Sequence, residues 1–483
     1  MGDAGATRAL ARRVVLAGFI ATALVLAISI VRVLLSATDP ANTSAPGYLP
    51  LAYSAAAVLL VSFVISAFFR RLDLALGRWF PWLVGAVSAF ISIGTYWALS
   101  AGLSDLAATI YKGIRVPQGP YPFWDLTLVM KSIDCARVGV DVFQPNNGCL
   151  QDPAIYGPGM LWLQYVPFHL FSNKNTGWLG LLAMIVSSLA LVWLARNSTG
   201  PGQLVLLVAA AAAPWQLLLE RGNIDAVVLW VACAVVLLVR RWDRLWVWWV
   251  AAALIWLVGT WKYYPFAMGL MLIPAVRVRR GWTVLVGYAV ATGVFMIVTW
   301  DNFRFSSQSN SNMVDYGDFV VLGRVPVVAR MLGTVVGAGG IQLGDALLFL
   351  LALVAVVWGV ATGLATRRSL VHPAMLAIAG SSLFLASVLV AGFGYGYKAT
   401  FLLLCVPVVA ALTRSTKAVL TSSSVAILAM IAIQSVVVWN TVMATLAGII
   451  AAGFAFGLAA ALIARSVRPA APTTASVPAA VHP

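Results

Sequence analysis

Long runs of apolar residues recur along the whole chain and are separated by short polar segments. An α-helix needs about 20 predominantly apolar residues to cross the hydrocarbon core of a bilayer, and these runs approach or exceed that length. The pattern therefore predicts an all-α, polytopic transmembrane helix bundle with about 14 crossings. The predicted crossings are residues 14–36, 48–69, 80–101, 176–195, 203–219, 224–240, 245–260, 264–276, 281–300, 344–366, 371–391, 397–413, 418–439 and 442–464.

Four other segments of the chain are not apolar runs long enough to cross a bilayer. Residues 102–157 and 301–324 are long and polar, and we expect both to form outer loops. Residues 158–172 are apolar but too short to cross, which favours an interfacial or re-entrant helix. We expect residues 1–465 to form a single transmembrane domain. The tail 466–483 is rich in Pro, Ala and Thr, which predicts a disordered cytoplasmic segment.

The composition agrees with a membrane protein and limits its function. Apolar residues make up 62% of the chain and charged residues 10%, against about 25% charged residues in soluble domains. This excludes a soluble enzyme, a disordered protein and a fibrous protein. The net charge of +16 does not indicate nucleic-acid binding, because no soluble domain carries a basic face.

The charges instead orient the chain. More than half of the 31 Lys and Arg residues fall in the predicted inner loops, as the positive-inside pattern requires. This places both termini in the cytoplasm of a multi-pass cell-membrane protein. A cleaved signal peptide is the alternative interpretation of the first apolar run, but its length and Arg32 disfavour it.

The acidic residues then locate the candidate chemistry. Of 15 acids, only Asp3, Asp73 and Asp243 fall in predicted inner segments. Ionisable residues at a membrane boundary are costly and are often functional. Four motifs with such residues are predicted to reach the outer face: Pro122-Phe-Trp-Asp125-Leu, Glu220-Arg-Gly-Asn-Ile-Asp225, Trp261-Lys-Tyr-Tyr-Pro265 and Tyr395-Gly-Tyr-Lys398.

Two of these motifs contain the acids, and each has a structural and a functional interpretation. Asp125 is either the N-cap of a helix or a general base in an aromatic surround. The Glu220–Asp225 motif is either a capped hairpin or a ligand contact. In the hairpin, Gly222 makes a tight reversal, Asn223 caps the next helix, and Asp225 lies in its first turn.

The other two motifs place a lysine among tyrosines. Lys262 precedes Tyr263 and Tyr264, and Lys398 follows Tyr395 and Tyr397. Either lysine is a snorkelling residue in an aromatic belt or a cation that binds a lipid-linked phosphate. The sequence does not choose between these two interpretations.

Cysteine and histidine usage adds one expectation. Cys135 and Cys149 both fall in the outer loop, which predicts a disulfide, with two free thiols as the alternative. Cys233 and Cys405 fall in apolar runs and are expected to be inert packing residues. No metal-ligand motif is present, so we expect no cofactor, and nothing in the spacing calls for a divalent ion.

Taken together, the four motifs and the Tyr156-Gly-Pro158 turn resemble the GT-C class of integral-membrane glycosyltransferases. In particular, the chain looks like the branch that contains the polyprenol-phosphate-mannose-dependent mannosyltransferases of actinobacteria. The resemblance covers roughly residues 80–415 and depends on the order and shared side of the motifs.

The resemblance implies an activity and a role for each residue. The enzyme would move a sugar from a polyprenyl-phosphate donor to a lipid or polysaccharide acceptor on the extracytoplasmic face. Asp125 would deprotonate the acceptor hydroxyl. Cations at Arg221, Lys262 and Lys398 would bind the donor phosphate. The remaining residues would line the substrate site: Glu220, Asn223, Asp225, Trp124, Tyr156, Tyr263, Tyr264 and Tyr397.

Two other classes remain open at this stage. A transporter or flippase of lipid-linked sugars would need polar residues through the bilayer midplane, whereas here they are predicted to cluster at one face. A non-catalytic protein of cell-envelope assembly would use the outer acids only to solvate loops.

Overall fold

The computed structural model describes residues 78–304, apart from a few positions between 115 and 155, together with 341–366, 370–390, 396–412 and 441–467. Every regular element in these residues is a helix, so the all-α prediction is confirmed for them. The predicted crossings at 14–36, 48–69 and 418–439 lie outside the described residues. So do most of the second outer loop, Tyr395 and the tail beyond residue 467.

We number the described α-helices in chain order. They are α1 (Phe80–Ser100), α2 (Ser104–Gly113), α3 (Trp124–Arg137), α4 (Thr176–Arg196), α5 (Gly200–Ala211), α6 (Ala213–Glu220), α7 (Asp225–Trp242), α8 (Leu245–Lys262), α9 (Trp282–Val298), α10 (Ile341–Ala365), α11 (Val371–Val390), α12 (Val406–Ala411) and α13 (Thr441–Val467). Five 3₁₀-helices join them: Pro158–Tyr165, Pro167–His169, Asn173–Asn175, Tyr264–Arg277 and Gly396–Cys405.

The described helices indicate a membrane-embedded protein. Six of them contain stretches long and apolar enough to cross a bilayer, and α5 with α6 forms a seventh if this bent pair is one span. These six are α1, α4, α8, α10, α11 and α13. α9 and the 3₁₀-helix Tyr264–Arg277 are apolar but shorter.

Three of the predicted crossings are not single straight α-helices, and the one at 264–276 is the 3₁₀-helix Tyr264–Arg277. The run predicted at 203–219 is divided into α5 and α6, which meet at an angle of 51°. Ala212 at the break is extended, with φ −81° and ψ 152°, and Pro214 follows two residues later. Proline has no N–H to bond the carbonyl of Ala210 four residues earlier, and its ring would clash with that carbonyl, so Pro214 ends one helix and lies in the first turn of the next. The run predicted at 397–413 is the 3₁₀-helix Gly396–Cys405 followed by α12.

Helix α11 lies at the centre of the described bundle. It packs against both long 3₁₀-helices and α13, and 72% of its apolar stretch is buried inside the protein. α10 is peripheral, since only 28% of its stretch is buried, and it packs along α13. On the other side, Ser88 of α1 bonds Ser188 of α4 at 2.9 Å and accepts from Trp215 at 2.8 Å. Such polar contacts join helices where the surroundings are apolar.

The described part of the segment between α3 and α4 contains no helix long enough to cross a bilayer, and its interfacial position stays a prediction. It consists of three short 3₁₀-helices, and its aromatic residues Trp162, Tyr165 and Phe168 are exposed. Asp134 of α3 anchors its end by accepting hydrogen bonds from the Ser172 hydroxyl and from the backbone N–H of Asn173.

A disulfide bond joins Cys135 and Cys149, as the sequence predicts. It ties the end of α3 to the loop that follows and closes a small core with Val142 and Ala154. The other two cysteines, Cys233 and Cys405, are buried and free.

We predict that the protein carries two titratable thiols before reduction and four after it. The four cysteines of the chain account for both numbers. The measurement is the mass gained on maleimide labelling of the denatured protein, with and without reductant. Four labels without reductant would contradict the disulfide, and a Cys149→Ser variant with three labels is the control.

We also predict that Gly457→Ala destabilises the bundle, because a Cβ there would lie 2.1 Å from the carbonyl oxygen of Val356 in α10. Overpacking of this kind costs about 1–3 kcal/mol, so the midpoint of thermal unfolding in detergent should fall. Gly94→Ala in α1 is the control, since nothing lies within 4 Å of its added Cβ. Equal midpoints for the two variants would contradict close packing of α10 on α13.

Candidate functional site

The four motifs that the sequence singles out come together at one end of the bundle. α6 ends at Glu220, α7 begins at Asp225, α8 ends at Lys262, and the 3₁₀-helix Gly396–Cys405 begins just before Lys398. Asp125 joins them from the first turn of α3. The basic residues Arg240, Arg241 and Arg244 lie at the other end of α7 and the start of α8, so the two ends of the bundle differ in chemistry.

A tight turn and a docked helix start position this site. Gly222 has φ +59°, a left-handed conformation that glycine adopts without a Cβ penalty, and it reverses the chain between α6 and α7. The carbonyl of Glu220 accepts from the N–H of Phe123 at 2.9 Å, and that of Arg221 accepts from Leu126 at 3.3 Å. The orphan carbonyls at the end of α6 thus hold the start of α3, which brings Asp125 to the turn.

Asp225 is the centre of the site. Its side chain is fully buried and accepts hydrogen bonds from Lys262 at 2.6 Å, from Lys398 at 2.7 Å and from the Tyr264 hydroxyl. Buried charges in proteins are paired and hydrogen-bonded in this way, because an isolated ion is too costly to desolvate. One carboxylate therefore joins three segments that are distant in the chain.

Asn223 connects this buried centre to Asp125. Its amide oxygen accepts from Lys262 at 2.7 Å and from the backbone N–H of Asp225 at 3.0 Å. Its amide nitrogen donates to Asp125 Oδ2 at 2.5 Å and to the Tyr397 hydroxyl at 3.1 Å. The expectation that Asn223 caps α7 is met in part: it binds the first N–H, although Ile224 holds the N-cap position.

Asp125 is the most accessible carboxylate of the three that converge here. Its side chain is 18% exposed, whereas that of Glu220 is 2% exposed and that of Asp225 is fully buried. It is not the N-cap of α3, because Phe123 holds that position. Burial raises the pKa of Asp125, and the charges of Arg221 and Lys262 and the bond from Asn223 oppose that rise.

Arg221 lies between two carboxylates. Its guanidinium is 3.5 Å from an oxygen of Asp125 and 3.5 Å from one of Glu220, and it stacks 4.7 Å above the Trp124 ring. Both ion-pair distances exceed the 2.7–2.9 Å of tight charge-assisted hydrogen bonds. The pair between the neighbouring residues Glu220 and Arg221 is therefore present but loose.

Four of the five predicted aromatic residues lie in the cluster. Besides Trp124, the Tyr156 ring lies 5.3 Å from Lys262, and the rings of Tyr264 and Tyr397 lie 4.2 and 5.4 Å from Lys398. Tyr263 differs, because its positive φ turns it toward Phe295 and Phe303, with ring centroids 6.1 and 5.2 Å away. The neighbouring tyrosines 263 and 264 thus face different surroundings.

Two contacts were not predicted from the sequence. Glu220 Oε1 accepts from the backbone N–H of Gly119 at 3.1 Å, which fixes the segment before α3 to the end of α6. Asp134 has a structural role, because it accepts from Ser172 in the segment between α3 and α4 and pairs with Arg137 at 2.7 Å. Nothing in the sequence indicates which backbone N–H groups bind the carboxylates of Glu220 and Asp134.

No group of three or more His, Cys, Asp or Glu side chains in the described part of the chain is arranged to hold a metal ion. The chain matches no family model, no curated protein and no solved structure. The geometry of the site is therefore the basis on which a function is proposed below.

We predict that Asp225→Asn strongly destabilises the protein, because it leaves Lys262 and Lys398 without their shared counter-charge. Breaking a buried ion pair by removing one partner costs about 3–5 kcal/mol. The measurement is the thermal unfolding midpoint in detergent, with Asp105→Asn on the exposed surface of α2 as the matched control. Equal midpoints for the two variants would contradict a stabilising role for Asp225 as the shared counter-charge of the two lysines.

Proposed function

We propose that this protein is a membrane glycosyltransferase that moves a sugar from a polyprenyl-phosphate donor to a lipid or glycan acceptor. The observation that carries the proposal is the meeting of one accessible carboxylate, Asp125, with three cations at one end of an apolar helix bundle. A general base and a set of cations are the two chemical parts that sugar transfer from a lipid phosphate requires.

Asp125 is the proposed general base. The acceptor oxygen forms a bond to the anomeric carbon of the donor while the bond from that carbon to the phosphate oxygen breaks. The hydroxyl proton passes to the Asp125 carboxylate, and the electron pair of the broken bond leaves with the polyprenyl phosphate. The partial exposure of Asp125 supports this role, since Glu220 and Asp225 are too deeply buried to meet a substrate.

Arg221 is the proposed main partner of the departing phosphate. Negative charge develops on that phosphate in the transition state, and a preorganised cation stabilises it. Arg221 carries five N–H donors, and its two ion pairs are long, so it has the capacity to bind a further anion. Lys262 and Lys398 are closer to their buried partner, Asp225, at 2.6 and 2.7 Å, and we assign them a supporting electrostatic role.

The aromatic residues and the bundle itself complete the proposal. Trp124 and Tyr156 carry their rings beside Arg221 and Lys262, where a sugar face or a polyprenyl chain would stack. A polyprenyl donor has to be held in the lipid, and the site lies at an end of helices apolar enough to cross a bilayer. The charge pattern of the sequence predicts that this end faces the extracytoplasmic side.

We expect Asp125→Asn to lower sugar transfer at least 100-fold, the contribution typical of a general base. Purified protein would be given radiolabelled polyprenyl-phosphate mannose or arabinose together with membrane lipid acceptors. The control is Asp105→Asn, which changes an exposed acid of α2 and should transfer sugar at the wild-type rate.

Equal transfer by wild type and Asp125→Asn would remove Asp125 as the base. No transfer by the wild type would reject the enzyme for these donors. Movement of intact lipid-linked sugar between the two leaflets of a vesicle, without transfer, would favour the flippase instead.

A further inference from the structure

The Asn223 side chain uses all of its hydrogen-bonding capacity within the protein. A carboxamide has two N–H donors and an oxygen with two lone pairs. Both donors are used, by Asp125 Oδ2 and Tyr397, and both lone pairs are used, by Lys262 and the N–H of Asp225. Asn223 is 3% exposed. It therefore has no polar group left for a substrate.

The orientation of this amide is fixed by its neighbours. Lys262 and the Asp225 backbone N–H are donors without acceptor capacity, so only the amide oxygen can face them. The amide nitrogen then has to face Asp125, whose ionised carboxylate only accepts. A flipped amide would set its two donors against the Lys262 and Asp225 N–H groups and its oxygen against the Asp125 carboxylate, which is unfavourable at all three contacts, whereas the Tyr397 hydroxyl can pair with either orientation.

This fixed amide makes the two oxygens of Asp125 unequal. Oδ2 is held by Asn223 at 2.5 Å, on the side of the buried centre. Oδ1 faces Arg221 across a longer distance of 3.5 Å. One oxygen is therefore committed to the protein, while the other lies beside the loosely paired cation that we assign to the donor phosphate.

We propose that Asn223 is a positioning residue that fixes the Asp125 carboxylate through Oδ2, so that Oδ1 takes the proton from the acceptor hydroxyl. This inference rests on the proposed function, and it replaces the expectation that Asn223 binds substrate. A series of hydrogen bonds fixes the carboxylate: Asp225 holds Lys262, Lys262 holds the amide of Asn223, and this amide holds Asp125.

The decisive variant is Asn223→Asp, which has nearly the same shape but replaces the amide N–H₂ by a second carboxylate oxygen. Two carboxylates this close cannot both ionise freely, so they share a proton to a higher pH. A base has to be deprotonated to act. We therefore expect the acidic limb of the kcat/KM profile to move up by at least one pH unit, with both substrate KM values changed less than threefold.

The matched control is Asn197→Asp at the C-cap of α4, where the side chain donates to the Trp193 carbonyl and accepts from Arg240, which lies at the end of α7 away from the site. It should leave the pH profile unchanged. If Asn223→Asp does not fold, Asn223→Ala provides the same test. We then expect a smaller upward shift of the acidic limb of the kcat/KM profile, because Asp125 loses a hydrogen bond but gains no neighbouring charge.

A second readout does not depend on activity. Infrared titration would follow the band of the protonated Asp125 carboxyl, which is identified by its absence from the Asp125→Asn variant. We expect this band to persist to higher pH in Asn223→Asp than in wild type. A rise in donor KM with an unmoved acidic limb would overturn the inference and make Asn223 a substrate ligand. An unmoved band would also overturn it. A moved band with no transfer by any variant, wild type included, would uphold the positioning and reject the proposed function.

Discussion

The buried carboxylate of Asp225 is the contact on which the rest of the site depends. It lies at the first position of α7 and binds a lysine from the end of α8 and another from the 3₁₀-helix that starts at Gly396. An unpaired carboxylate or ammonium at this depth would be too costly, so the three groups hold one another in place. The surrounding helices are apolar, and this ionic centre fixes which of their ends meet.

Around that centre the site is built in layers of decreasing burial. Asp225 is fully buried, Lys398 is 6% exposed, Lys262 is 11% exposed and Asp125 is 18% exposed. The inner groups satisfy one another, whereas Arg221 and Asp125 at the outside make longer contacts. A rigid interior with a loosely paired rim is the arrangement that a preorganised catalytic or binding site requires.

The sequence predicts the class of fold and the gathering of the motifs for a clear physical reason. Apolar runs report membrane crossings, and the scarcity of acids in a chain of 62% apolar residues makes each remaining acid informative. The predicted order of crossings then places four residues at helix ends on the same side of the membrane: Asp125, Asp225, Lys262 and Lys398.

The pairings themselves are beyond such reasoning. Nothing in the order of residues shows that Asp225 is shared by two lysines, or that carbonyls at the end of α6 bind the start of α3. These contacts depend on how helices distant in sequence pack, which periodicity does not report. The break at Ala212 is different: residues 203–219 are predicted to form one crossing, although Pro214, which cannot continue a helix, is visible in the sequence.

We propose that a polyprenyl phosphate binds at the end of the bundle that carries Asp125. The most direct test is the affinity of purified protein for a short polyprenyl monophosphate, measured for wild type, Arg221→Gln and Arg244→Gln. Arg244 lies exposed at the other end of the bundle. We expect an affinity at least tenfold weaker for Arg221→Gln and unchanged for Arg244→Gln. Equal affinities for Arg221→Gln and wild type, or a loss only in Arg244→Gln, would contradict the proposal.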